Sequence, residues 1–149
     1  MPSLTESVHV EASLAEAWNH YFDPSGWADW VDGFGSVVEL DEYPEAGGTL
    51  RWRSIPAGRG EVLERVLAHE HRRLHRIAFE DPTMLGEQET RFAIDGEGTK
   101  VDLELSYRLA GGGPLTRFAG LFFIRSQVRA SVQRTLLGFK HSCEEAAAG

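Results

Sequence analysis

A Gly111-Gly112-Gly113-Pro114 breaker followed by more than thirty residues without another proline constrains this chain more than any other feature. A proline in the first turn of a helix costs no hydrogen bond, because the first amides have no internal acceptor. From Pro114 to about Ala146 the apolar residues return at helical spacing. Leu115, Phe118, Leu121, Phe122, Val128, Val132, Leu136, Phe139 and Cys143 fall into one broad stripe. Such a helix runs about 45 Å, enough to cross a small domain. Arg125 sits in that stripe and Arg129 at its edge. A guanidinium keeps its charge when buried, so Arg125 either reaches solvent, pairs with a strand carboxylate, or faces a cavity and holds an anionic or carbonyl group of a ligand.

The chain before this helix reads mostly as sheet. Leu4 to Glu11 alternates as a half-buried strand. Ser13 with Glu16 forms a capping box for a helix carrying Leu14, Ala17, Trp18, Tyr21 and Phe22, and Asp23-Pro24 opens a second short helix with Trp27 and Trp30 on one face. The period then changes to two. Strands are predicted near 34–40, 48–54, 59–68, 73–80, 87–94 and 100–109, with short turns between them. Val101, Leu103, Leu105, Tyr107 and Leu109 face in, as do Thr90, Phe92, Ile94, Leu50 and Trp52. If Val62 and Val66 face in, so does Glu64, which makes it the first candidate partner for Arg125. The expected architecture is α+β: a seven-stranded antiparallel sheet wrapped round the long C-terminal helix, with two short helices after the first strand. A curved sheet closed by one helix leaves a cavity unless the facing side chains are large.

At 149 residues, 42% hydrophobic and 26% charged, the chain fits a single domain spanning 1–149 with a sizeable core. A formal charge of −8 with no Lys/Arg cluster argues against nucleic acid and anionic membrane partners. The single Cys143 excludes an internal disulfide, the first residues lack a signal-peptide pattern, and no apolar run approaches the length of a membrane span. A cytoplasmic location and a monomer or homodimer are expected. His69, His71 and His75 lack a third ligand at metal-binding spacing and sit beside charged turn residues. No phosphate-binding glycine motif or nucleophile elbow is present, so no metal or other cofactor is expected.

The element order resembles the helix-grip superfamily, also called START-like or SRPBCC. The residues that carry the likeness are Ala17-Trp18, Asp23-Pro24, Gly26-Trp27-Ala28-Asp29-Trp30-Val31, Gly47-Gly48-Thr49, Glu64-Arg65-Val66-Leu67 and the closing helix. Within it the chain is most similar to small bacterial polyketide cyclase/dehydrase-like proteins. The resemblance implies a cavity between sheet and helix for a hydrophobic, aromatic or lipid-like molecule. Trp27, Trp30, Phe34, Trp52, Tyr107, Phe118, Phe122 and Arg125 are the expected lining, with Trp18 in the core. Glu64, Arg125 and Tyr107 are the candidate catalytic groups should the cavity do cyclase or dehydratase chemistry. Three functions follow as alternatives: ligand binding without chemistry, an enzyme of that type, and a protein-interaction module with a closed interior.

Overall fold

The computed structural model describes residues 2–110 and the helix from Pro114 onward, whose side chains are described from Ile124. Strand β1 (Ser3–Val10) leads into α1 (Leu14–Tyr21), a 3-10 turn (Pro24–Gly26) and α2 (Trp27–Trp30). Strands β2 (Phe34–Asp41), β3 (Thr49–Ser54), β4 (Glu61–Glu70), β5 (Leu74–Glu80), β6 (Met84–Asp95) and β7 (Gly98–Leu109) follow, and α3 (Pro114–Ala148) closes the chain.

The local rules read from the sequence hold at the chain's opening. Ser13 Oγ accepts the Glu16 amide at 3.1 Å and the Glu16 carboxylate accepts the Ser13 amide at 3.0 Å, a complete capping box. Asp23 caps the 3-10 turn through the Ser25 amide at 3.1 Å. The strands pair antiparallel in the order β1-β7-β6-β5-β4-β3-β2, a meander whose first strand returns beside the last. β1 meets β7 in unbroken register from Ser3 opposite Ser106 to Val10 opposite Thr99. At the other edge β2 is largely exposed and carries two register breaks, between Phe34 and Ser36 and between Val37 and Glu39. Irregular edges of this kind resist pairing with other chains.

Parity on the inner face follows the reading from alternation, with one correction. Leu50, Trp52, Val62, Val66, Phe92, Leu103, Leu105 and Tyr107 are buried, whereas Ile94 is 73% exposed. Ile94 has the parity of Thr90 and Phe92, but it lies next to the β6–β7 turn, where the strand has run past its cover. β6 also starts three residues earlier than predicted, at Met84.

Helix α3 lies against β1 and against both short helices. Val128, Val132, Leu136, Phe139 and Cys143 are buried along it at helical spacing. Its approach to α2 requires Gly138: a Cβ there would stand 2.9 Å from the Trp30 carbonyl oxygen and 3.1 Å from Trp30 Cα. Alanine normally stabilises a helix interior by up to about 1 kcal/mol over glycine. Here the backbone of α2 must retreat, so Gly138→Ala is expected to lower stability by about 1–2 kcal/mol net. Urea unfolding checks this, and an unchanged or stabilised variant refutes the close packing.

Candidate functional site

The space between the inner sheet face, α2 and α3 is a cavity of about 530 Å³. Each layer contributes to its wall. From α1 and α2 come Tyr21, Trp27 and Trp30; from the sheet come Phe34, Leu50, Trp52, Glu64, His75, Ile77, Phe79, Leu103 and Leu105; from α3 come Val128, Ser131, Val132 and Thr135. Exposed residues on the lining, Gly58, Thr83, Gln127 and Arg134, mark its rim.

Aromatic rings support one another round this space. Phe34 stacks on Trp52 at 5.4 Å between centroids, Trp27 meets Tyr43 edge-on at 5.8 Å, and Trp30 meets Tyr21 at 5.1 Å. Their polar atoms are mostly tied down. The Trp27 indole donates to the Tyr21 carbonyl at 2.8 Å, and Tyr21 Oη lies 3.0 Å from Thr90 Oγ1. Burial pushes the Tyr21 hydroxyl up to about 12.

Glu64 projects into the cavity from β4, as its parity with Val62 and Val66 requires. Its Oε2 accepts the Trp52 indole N–H at 2.9 Å. Burial raises its pKa above the usual carboxylate range, against the opposing pull of the Trp52 hydrogen bond and the Arg59 charge. Arg59 lies over the rings of Trp52 (5.6 Å) and Phe79 (5.2 Å) and donates through Nε to Asp81 at 2.7 Å. Burial works against the Asp81 charge, but the Thr83 amide and the Arg59 guanidinium outweigh it and hold the group below its ordinary value. At the rim, Arg134 grips Asp32 through Nε and Nη2, both at 3.0 Å, and Ser131 donates to the same carboxylate at 2.7 Å.

A second polar line leaves the cavity through β5. Tyr43 Oη lies 3.3 Å from His75 Nε2, and His75 Nδ1 lies 3.0 Å from His69 Nδ1. One imidazole must donate and the other accept, so at most one of the two is protonated while this contact is made. Burial, reinforced by His69, drives His75 down to about 3, and burial also lowers His69. No group of three or more His, Cys, Asp or Glu suited to a metal occurs among the described residues.

The structure therefore gathers Trp27, Trp30, Phe34, Trp52 and Glu64 at the cavity, whereas Arg125 and Tyr107 are not on its wall. Arg125 is exposed, donates to the Ser3 carbonyl at 3.3 Å and is not among the described residues that line the cavity with Glu64. Tyr107 is buried but lies beyond Leu105, the last β7 residue on the wall. The side chains of Phe118 and Phe122 lie outside the described residues. Trp18 is in the core, packed on Phe22, His69 and Phe92. Sequence reasoning missed Tyr43, Arg59, His75 and the polar strip of α3. The alternation His75, Ile77, Phe79 was the available sign for His75, since all three are buried on one face.

With a seven-stranded antiparallel sheet holding one long helix across an internal cavity, the molecule has the helix-grip fold. Over residues 1–144 the chain matches the family described as polyketide cyclase / dehydrase and lipid transport, and it belongs to that family. Solved structures agree in fold. Protein TTHA0849 from Thermus thermophilus superposes with a TM-score of 0.76 at 22% identity, covering 98% of this chain and 99% of that one. The Zhui aromatase/cyclase from Streptomyces sp. R1128 gives 0.73 at 21% identity, covering 99% and 93%, and Ara h 8.0201 gives 0.71 at 12%, covering 99% and 97%. No curated protein matches the chain. Among the described residues no helix is long and apolar enough to cross a membrane.

His75 gives the site a testable acid response. The unfolded chain takes up a proton near 6.5, whereas the folded protein resists it until about 3. Between those values the unfolded state binds more protons, so stability falls as pH falls, by up to about 1.4 kcal/mol per pH unit. Glu64 has the opposite sign: its raised pKa contributes stability at low pH that is lost as pH rises through its folded value. Comparing variants isolates His75. The stability gap between wild type and His75→Phe is expected to narrow by about 2 kcal/mol from about pH 7 to about pH 4.5. A gap that does not change with pH means that His75 accepts a proton in place.

Proposed function

We propose that this protein binds a small hydrophobic or aromatic molecule inside the cavity between the sheet and α3. The observation that carries this reading is an internal space of about 530 Å³, walled by Trp27, Trp30, Phe34 and Trp52 and furnished with a part-buried carboxyl, Glu64, that makes no ion pair among the described residues. That volume lies in the range of sites that enclose a drug-sized ligand, and the mix of apolar wall and few polar groups is what such sites use. The open interior speaks against the interaction-module alternative, which expects a collapsed one.

Native mass spectrometry of the purified protein tests this reading, together with thermal-shift screening against aromatic amines, phenols, aromatic acids and fatty acids. A ligand at a hundredfold excess over its Kd stabilises by about 2.7 kcal/mol, a rise in Tm on the order of 10 °C. Val132→Phe, which places a ring in the space from α3, is expected to abolish that rise while the protein stays folded. A rise that persists in this variant locates binding elsewhere.

A second reading is chemistry of the cyclase/dehydratase type, which the Zhui aromatase/cyclase name attaches to that relative. Its support here is an unpaired carboxyl in the cavity beside Arg59, together with the Tyr43, His75 and His69 line. In an aldol step the Glu64 carboxylate would take a proton from the carbon next to a carbonyl. The enolate carbon would attack a second carbonyl, whose oxygen takes up a proton, and loss of water would follow. Arg59, held to Asp81 through Nε, would have to turn a remaining guanidinium N–H toward the enolate oxygen to take the part expected of Arg125 from the sequence. Under this reading Glu64→Gln removes turnover of a polyketone probe and leaves its affinity within a few-fold. Turnover retained in that variant rules out Glu64 as the base.

A further inference from the structure

Charge round the cavity is unevenly satisfied. Arg59 is committed to Asp81 and Arg134 to Asp32. These are the two lysine or arginine residues among the described lining residues, and each already has its carboxylate. Glu64 remains. It forms no ion pair among the described residues, and its hydrogen bond comes from the neutral Trp52 indole. The Arg59 charge reaches it, but the guanidinium Nε points to Asp81.

Rings surround this carboxyl. Trp52 is bonded to it, Tyr21 and Tyr43 are close enough to feel its charge, and Trp27 packs edge-on against Tyr43. Aromatic faces attract cations, most strongly where water is excluded. A carboxylate set among them adds the counter-charge and a charge-assisted hydrogen bond. An anionic ligand would instead meet Glu64 and find both cations already engaged, at the cost of burying an unpaired charge.

We infer that the ligand of this cavity is a flat hydrophobic molecule bearing a protonated amine, and that Glu64 is its counter-ion. This rests on the reading of the cavity as a ligand site and adds the ligand's charge class. Burial alone keeps the Glu64 carboxyl above its ordinary range, the condition of a group that gains from an arriving cation.

Calorimetric titration near neutral pH with three probes of one size separates the possibilities: 2-naphthylmethylamine, 2-naphthylmethanol and 2-naphthoate. The amine is expected to bind about tenfold more tightly than the alcohol, or better, and the naphthoate least of all. Glu64→Gln keeps an oxygen for the Trp52 N–H and is expected to bring the amine down to the alcohol's affinity while leaving the alcohol unchanged. Circular dichroism confirms that the variant folds. Naphthoate or alcohol binding wild type as tightly as the amine overturns the inference while the cavity reading stands. An amine that keeps its advantage in Glu64→Gln overturns it too. If none of the three binds and none raises Tm, the cavity reading fails and takes this inference with it.

Discussion

One helix has to satisfy three different neighbours, and the architecture depends on how α3 divides its circumference among them. At about 100° per residue, Val128, Val132, Leu136, Phe139 and Cys143 centre on the core. Turned about 70° one way lies a polar seam along β1. Arg125 bonds the Ser3 carbonyl, Arg129 and Gln133 bond Glu6, and Lys140 donates to the His9 carbonyl at 2.9 Å. Turned about 100° the other way lies the cavity, faced by Gln127, Ser131, Arg134 and Thr135. The seam fixes the helix lengthwise on the sheet edge, the core fixes its depth, and the third strip is left free to line a space rather than fill one.

The same division explains what could be read without the structure. Strand and helix order, the two caps, the meander and the inward parity of Trp52 and Leu103 follow from local periodicity and turn chemistry, which the sequence carries directly, whereas the parity of Glu64 hung on whether Val62 and Val66 face in. Of the rings on the cavity wall, Trp27, Trp30, Phe34 and Trp52 could be picked out from the sequence, whereas Tyr21, Tyr43 and Phe79 were not. Arg125 was misplaced because a broad apolar stripe merges the core arc with the β1 seam, and the boundary between them depends on which neighbour lies alongside. The cavity strip of α3 escaped notice for the converse reason: Ser131 and Thr135 look like solvent positions. Arg59 reads as the first residue of a strand over 59–68, but β4 starts at Glu61 and leaves Arg59 in the turn before it, where only tertiary packing brings it over Trp52 and Phe79. His75 was grouped with His71, although His71 is exposed and His75 is buried beneath Phe22 and Tyr43.

Electrostatics in the cavity are arranged in pairs that leave a remainder. Two salt bridges at its margin join separate parts of the fold: Arg59 with Asp81 ties the β3–β4 turn to the β5–β6 turn, and Arg134 with Asp32 ties α3 to the segment after α2. Asp81 is wholly buried at its side chain and also receives the Thr83 and Met84 amides, so this pair is anchored in backbone. Such pairs are better suited to holding the rim in one geometry than to adding net stability. Both cations are thereby spent on structure, and the cavity's character falls to Glu64.

Preorganisation then decides what a ligand has to do. Trp27, Trp52, Tyr21 and Tyr43 each have their polar atom bonded within the protein, so the wall holds its shape through its own hydrogen bonds. A wall already ordered loses little side-chain entropy on binding, and a larger share of the contact energy appears as affinity. The exception is the Trp30 indole N–H, which is buried without a partner among the described residues, an arrangement that costs on the order of 1–3 kcal/mol. Its ring packs against Tyr21 and Phe139 where Gly138 lets α3 close on α2, so the unmet donor is the cost of that tight junction. The junction that leaves Trp30 unsatisfied is also what keeps α2 pressed onto the cavity.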